Sequence, residues 1–160
     1  MVFIMIARTN PASHDASSCR SRRHARAQHL VVADERSLAD LELALVALPI
    51  CASGRVFIEV PDASWICELQ APPRMSITWL DRSTRRGDVG TAGLCRPGQA
   101  MTRAAIAYAD ETLCGDEACE TNVTLLAGYV ATADIVEHLT TQCGIARESI
   151  TVTEALSHYV

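Results

Sequence analysis

The sequence contains no lysine. All 14 basic residues among its 160 are arginine, which excludes a Schiff-base lysine and any phosphate loop built around a lysine. No run approaches the ~20 apolar residues that a membrane helix needs. The apolar opening Val2 to Ala7 is too short for a secretion signal, and no basic residue precedes it. No membrane span is expected, and a cytoplasmic location is the default. Positive charge is not in excess either. Nineteen acidic residues bring the net charge to -5 and the pI to about 5.5, so nothing draws the chain toward nucleic acid. The seven cysteines are odd in number and widely scattered, against a disulfide framework. Cys114 and Cys119 are the nearest pair, but their CGDEAC spacing fits no common zinc knuckle and no histidine lies beside them. The five histidines form no metal-binding pattern. His138 falls in an amphipathic segment and reads as a packed or surface histidine, so no metal site is expected.

What is present suits one domain with an ordinary core: 49% of residues are hydrophobic and 21% charged. Collagen, coiled coil and a largely disordered chain are excluded. Charge divides the chain in two. Up to Gln28 there are five arginines and one acid, against nine arginines and eighteen acids in the remainder. Residues 1–28 lack any apolar period and read as a mobile basic arm. Residues 29–160 form the domain.

Within it, Leu30 to Ala33 reads as a buried strand ending at Asp34 and Glu35. Ser37-Leu-Ala-Asp40 has the form of a capping box, predicting a helix whose apolar side is Leu38, Leu41, Leu45 and Leu48. Pro49 closes it and Gly54 marks the next turn. Arg55 to Val60 and Met75 to Leu80 read as further strands. Asp81 to Gly98, rich in glycine and arginine, reads as a long flexible loop. Gln99 to Leu113 is helical, with Met101, Ala105, Ile106 and Ala109 on one side. Asn122 to Ala127 is a fourth strand, Ala131 to Gln142 a helix closed by Gly144, and Ile150 to Thr153 an edge strand. Alternating elements with wholly apolar strands predict an α/β fold: an open, mainly parallel, doubly wound Rossmann-like sheet of about five strands. Trp79, within such a strand, reads as core packing.

Ligands of such sheets bind beyond the carboxyl ends of the strands, where strand order reverses. The turns Ala33–Ser37 and Gly128–Ala131 both qualify. A helix begun at Ser37 would offer free N–H groups to a phosphate, although Asp34 and Glu35 beside it oppose a pyrophosphate. The G-x-G-x-x-G fingerprint is absent. Glu59 and Asp62 end the second strand where an acid would receive ribose hydroxyls, or else simply close the strand in solvent. Arg82, Arg85 and Arg86 follow the third strand and could grip a phosphate or another anion, or form a solvated loop.

The stretch LVVADERSLADLELAL resembles the "LLxGDETALPAI" segment of siderophore-interacting proteins, the flavin-dependent ferric-siderophore reductases. Val56 to Val60 with Asp62 is similar to that family's "EV-x-D" strand end, and Ile77 to Arg82 to its "TWLxR". Leu125 to Gly128, with Glu137-His-Leu139 and Gly144-Ile145, resembles its "AGEA...RxHL...G" block. The resemblance covers His29 to Val152 and implies the C-terminal, NAD(P)H-binding half of such a reductase. Asp34, Glu35, Ser37, Glu59, Arg82 and Gly128 are then the candidate cofactor-binding residues, Arg82 for phosphate and Glu59 for ribose. The cofactor implied is NADPH or NADH, and the substrate a ferric siderophore. The segment before His29 is too short for the family's flavin-binding barrel, so FAD is expected only through a partner chain. Several positions depart from the pattern: Ala33, Arg36, Ala39, Tyr129 and Glu137 replace the family's glycine, threonine, proline, acid and arginine. These losses keep open an alternative, a non-catalytic domain that binds a siderophore or a protein partner.

Overall fold

The computed structural model describes residues 27–90, 92–113 and 120–157. Residues 1–26 of the expected arm and the Cys114/Cys119 pair lie outside them. The elements are β1 (Gln28–Asp34), α1 (Leu38–Ala47), β2 (Ser53–Val60), β3 (Arg74–Asp81), α2 (Gln99–Thr112), β4 (Thr121–Leu126), α3 (Tyr129–Thr141) and β5 (Ile150–Val152). The five strands form one sheet in the order β3-β2-β1-β4-β5, and every pairing is parallel. This is the expected α/β fold, with a wholly parallel sheet.

The apolar run of β1 is explained by its central place. A strand covered on both faces sends successive side chains into two different cores. Val31 and Ala33 join Leu41 and Leu45 of α1 with Val56 and Ile58 of β2. Leu30 and Val32 join Phe57, Met101, Ala105 and Ala109 with Ile135 and Leu139 of α3. One helix therefore covers one face and two helices the other. Each such side chain contributes roughly 1.5–3 kcal/mol by leaving water. Trp79 is half-buried against the α1-side core.

Three expectations are corrected. Gly54 lies inside β2 rather than in a turn, with φ +146°. A Cβ there would stand 1.9 Å from the carbonyl oxygen of its β1 partner His29, so only glycine lets the strands meet. α3 begins at Tyr129, two residues before the expected Ala131. The segment from Asp81 to Gly98 is tied down rather than loose. Asp81 caps a single 3-10 turn over Arg82–Thr84, and the chain then doubles back through an antiparallel bridge between Arg86 and Leu94. Arg103 of α2 holds the doubled segment by donating to the carbonyls of Arg86 and Gly87 at 2.9 and 3.1 Å.

Candidate functional site

Because β1 and β4 are neighbours whose following helices lie on opposite faces, the turns after them diverge at the carboxyl edge of the sheet. Both turns singled out in the sequence flank this point. Asp34 ties them together. Its Oδ2 accepts the Gly128 N–H at 3.1 Å, and its Oδ1 accepts the Arg36 N–H at 3.0 Å.

Ser37 stands at the N-cap of α1, but the expected capping box does not form, as no side-chain cap is made there. The Ser37 hydroxyl turns back instead, accepting from the Asp34 N–H and donating to the Asp34 carbonyl, both at 3.1 Å. Its oxygen closes the β1 turn, so it is not available to the helix N–H groups it was expected to cap.

Glu59 and Arg82 meet at the carboxyl ends of β2 and β3, where parallel pairing sets Glu59 against Leu80 and Arg82 follows in the turn after β3. Arg82 donates from Nη1 and Nη2 to the two oxygens of Glu35, each at 3.1 Å, and from Nη1 to Glu59 Oε1 at 3.1 Å. Glu59 is 0% exposed. Its Oε1 also accepts the Gly98 N–H at 2.7 Å, and its Oε2 accepts those of Ala100 and Met101 at 2.9 Å. Four donors match the lone-pair sites of one carboxylate. Glu59 is thus the cap of α2 supplied from a neighbouring strand, with its negative charge at the positive end of the helix. The expectation that it receives a ribose gives way to this role, because both oxygens are occupied and shielded.

Gly98 makes the arrangement possible. Its φ of +86° turns the chain into α2, and a Cβ there would lie 3.1 Å from that of Ala131. The N-terminal turns of α2 and α3 consequently come together over the switch point. Asp62, the other acid considered, lies outside the cleft described below. It accepts from the N–H and hydroxyl of Ser64, and those bonds hold its carboxyl below the usual carboxylate range.

Two adjoining clefts result. One of about 230 Å³ is lined by Asp34, Glu35, Arg36, Arg82, Gly128 and the first turn of α3, with Pro97, Gly98 and Met101 behind. The other, about 630 Å³, lies between the starts of α2 and α3 and shares Pro97, Gly98, Val130 and Ala131 as a common wall. Asp88, Arg96, Gln99, Thr102, Arg103 and Asp134 line its far side. The larger lies within the usual range for small-molecule and cofactor sites. Of the expected residues, Asp34, Glu35, Arg82 and Gly128 face the smaller cleft, while Ser37 and Glu59 stand behind it.

Electrostatics set the tone of the smaller cleft. Partial burial pushes the Glu35 carboxyl up, but the hydrogen bonds and charge of Arg82, with the nearby backbone and Arg36, outweigh it and hold Glu35 below its ordinary value. The Glu35 bond in turn raises Arg82, opposed by burial and reinforced by Glu59. An anion entering here meets an arginine already shared by two carboxylates. The N-cap of α3 is Gly128, which has no side chain to cap the helix, and Tyr129 and Val130 stand exposed at its lip.

The Gly128–Ala131 turn is legible in the sequence, but Tyr129 and Val130 within it and the residues around Gly98 are not among the expected site residues. The usable signal was local: an exposed aromatic–aliphatic pair directly after a glycine that ends a buried strand. The Arg82–Glu59–α2 arrangement joins residues 23 to 42 positions apart, so only the fold reveals it.

The family model for siderophore-interacting proteins matches residues 26–154. The chain belongs to the siderophore-interacting protein family. The β1 turn, the β2 and β3 ends and the Gly128 turn all lie inside the match. Among solved structures, a siderophore utilization protein from T. fusca is 27% identical with a TM-score of 0.56, over 78% of this chain and 42% of that one. The fold is also that of siderophore-interacting proteins from Aeromonas hydrophila and Acinetobacter baumannii. The first has a TM-score of 0.57 at 12% identity, over 78% of this chain and 48% of that one. The second has a TM-score of 0.54 at 12% identity, over 82% and 48%. The chain thus spans less than half the length of these family structures. A search of curated proteins found no match. No helix among the described residues is long and apolar enough to cross a membrane.

Proposed function

We propose that this chain is the pyridine-nucleotide-binding half of a ferric-siderophore reductase, working with a flavin-binding barrel supplied by a partner. The observation that carries this reading is the double cleft at the β1/β4 switch point, with the N-terminal turn of α3 opening into it. Nucleotides bind at such a point in open α/β sheets, and the positive end of a helix suits their phosphates. The residues present fit this group in a particular way. The N-terminal turn of α3 takes a phosphate, with Arg36 at the rim, while Arg82 reaches it by giving up one of its bonds to Glu35. Asp34 and Gly128 hold the two turns at a fixed separation. Glu59 and Ser37 shape the site from behind without touching the ligand, and Tyr129 offers a face for a flat ring.

When bound, NADPH or NADH would supply hydride-level reducing equivalents for transfer through a flavin to ferric iron. The chain's own part is to hold the nicotinamide at the open edge of the cleft. Titration with NADPH and NADH, read by the fluorescence of Trp65 and Trp79 and by calorimetry, tests this. Saturable micromolar binding is expected. Val130→Glu, placing a carboxylate on an exposed position beside the α3 N–H groups, should weaken it at least tenfold. Glu35→Gln, which releases Arg82, should strengthen it.

A second reading is favoured by one observation. The Arg82 charge is already balanced by Glu35 and Glu59, as in a domain that has given up nucleotide and retained only binding to a siderophore or a protein partner. Absence of nucleotide binding at millimolar concentration, with retained binding of a ferric siderophore, would establish that alternative.

A further inference from the structure

Helices α2 and α3 meet at both ends. Their starts form the wall of the cleft, and their far ends bring together three side chains that neither the cleft nor the proposed reaction uses. Asp110 lies in the last turn of α2 and His138 in the last turn of α3. Cys143 lies two residues beyond the end of α3. His138 Nε2 lies 2.6 Å from Asp110 Oδ1, and Cys143 Sγ lies 3.7 Å from the same oxygen. The three donor atoms all fall within 4.8 Å of one another.

From this juxtaposition we infer that Asp110, His138 and Cys143 form a binding site for a divalent metal ion of borderline softness, of the zinc or cobalt class. The chemistry of the donors selects the ion. One thiolate, one imidazole and one carboxylate make a mixed S, N, O set, which hard ions such as magnesium or calcium do not favour. The charges also balance. A thiolate and a carboxylate offset the two positive charges of the ion, leaving a neutral site, and the thiol proton passes to solvent as the S–metal bond forms.

Geometry supports the same conclusion. Donor atoms of a tetrahedral zinc site lie roughly 3.3–3.8 Å apart, given bonds of about 2.0–2.3 Å. The sulfur–oxygen pair already has that spacing. The nitrogen–oxygen pair has to part by about 0.7 Å on the same reasoning, and Asp110, with a side chain 52% exposed, has room to move. The backbones that carry the other two donors are fixed, while their side chains can turn toward the ion. The Cys143 N–H reaches the His138 carbonyl at 3.4 Å, and the Ile145 N–H reaches that of Leu139 at 3.0 Å, around Gly144 at φ +67°. The end of α3 therefore keeps the cysteine beside the histidine, with their donor atoms within 4.8 Å, and a small rotation of either side chain brings the pair to tetrahedral spacing. Three protein donors and an open fourth position accessible to water complete the coordination.

The test is titration of the full-length chain, reduced and stripped with a chelator, with cobalt(II) alone. The expected result is one ion per chain, a near-ultraviolet thiolate-to-cobalt charge-transfer band and intense visible bands of tetrahedral coordination. Cys143→Ser should abolish the charge-transfer band. Asp110→Asn, an exposed change that leaves the packing intact, should weaken binding at least tenfold. Cys67→Ser, at an exposed cysteine outside the cluster, should leave the spectrum unchanged. Circular dichroism of each variant verifies its fold. No charge-transfer band in the native chain, or one that survives in folded Cys143→Ser, would overturn the proposal.

Discussion

Glu59 shows how much one side chain can decide. A carboxylate fully out of water is costly unless every lone pair finds a donor. Here three backbone N–H groups and one guanidinium supply them. The same four bonds fix the start of α2 against the end of β2, so the cleft wall depends on this residue although the ligand would not touch it. Glu59→Gln is nearly isosteric but puts an NH2 group where an acceptor is required. It leaves two N–H groups facing a donor or one oxygen overloaded. We expect a loss of about 3–5 kcal/mol, measured by denaturant unfolding. A loss below about 1 kcal/mol, the worth of an ordinary hydrogen bond, would mean that the carboxylate is not the cap.

At the scale of elements, much was legible and the reasons differ. β1 declared itself because a strand buried on both faces must be apolar at every position, and Leu30 to Ala33 are. α1 was legible from the Leu41–Leu45 stripe, which the structure buries. The end of α3 was legible from Gly144. Its start was not, because Gly128 to Ala131 reads as a turn, and Tyr129 and Val130, exposed in the first turn of the helix, lie off its buried stripe. The capping box was legible and misleading. The Ser37 hydroxyl had two local partners to choose from, and the turn after β1 took it. Of the candidate site, the two turns were legible from the general rule of the fold, whereas the Glu35–Arg82–Glu59 bridge and the Asp110–His138–Cys143 cluster were not. Both depend on which elements become neighbours. The choice made by Ser37 can be tested: Ser37→Ala should cost about 1 kcal/mol by opening the turn. Asp40→Ala, which a working capping box would make equally damaging, should stay within about 0.5 kcal/mol in thermal or chemical unfolding.

For the molecule as a whole, the lowered titrations of His29 on β1 and Glu35 in its turn act on stability in the same direction. His29 is buried on the central strand, and its Nε2 has no hydrogen-bond partner among the described residues. Burial lowers its pKa from the ordinary 6.5, opposed by the charge of Glu120. The unfolded chain therefore binds a proton at this site at a pH where the folded chain does not. Stability is complete above about 6.5 and is lost as the pH falls below that value toward the folded pKa. Glu35 is lowered from 4.5 in the net balance between burial and the Arg82 pairing. Its contribution is present above that value and disappears as the carboxyl takes up a proton at lower pH. The free energy of unfolding should consequently decline toward acid in two stages, the first as the pH falls below about 6.5 and the second below about 4.5. Urea unfolding across this range, repeated on His29→Leu, separates them. The variant should flatten the first stage and leave the second. A native chain equally stable at pH 7 and pH 5 would show that the interior of the central strand accommodates a charged imidazole, contrary to the burial that defines the sheet's two-sided core.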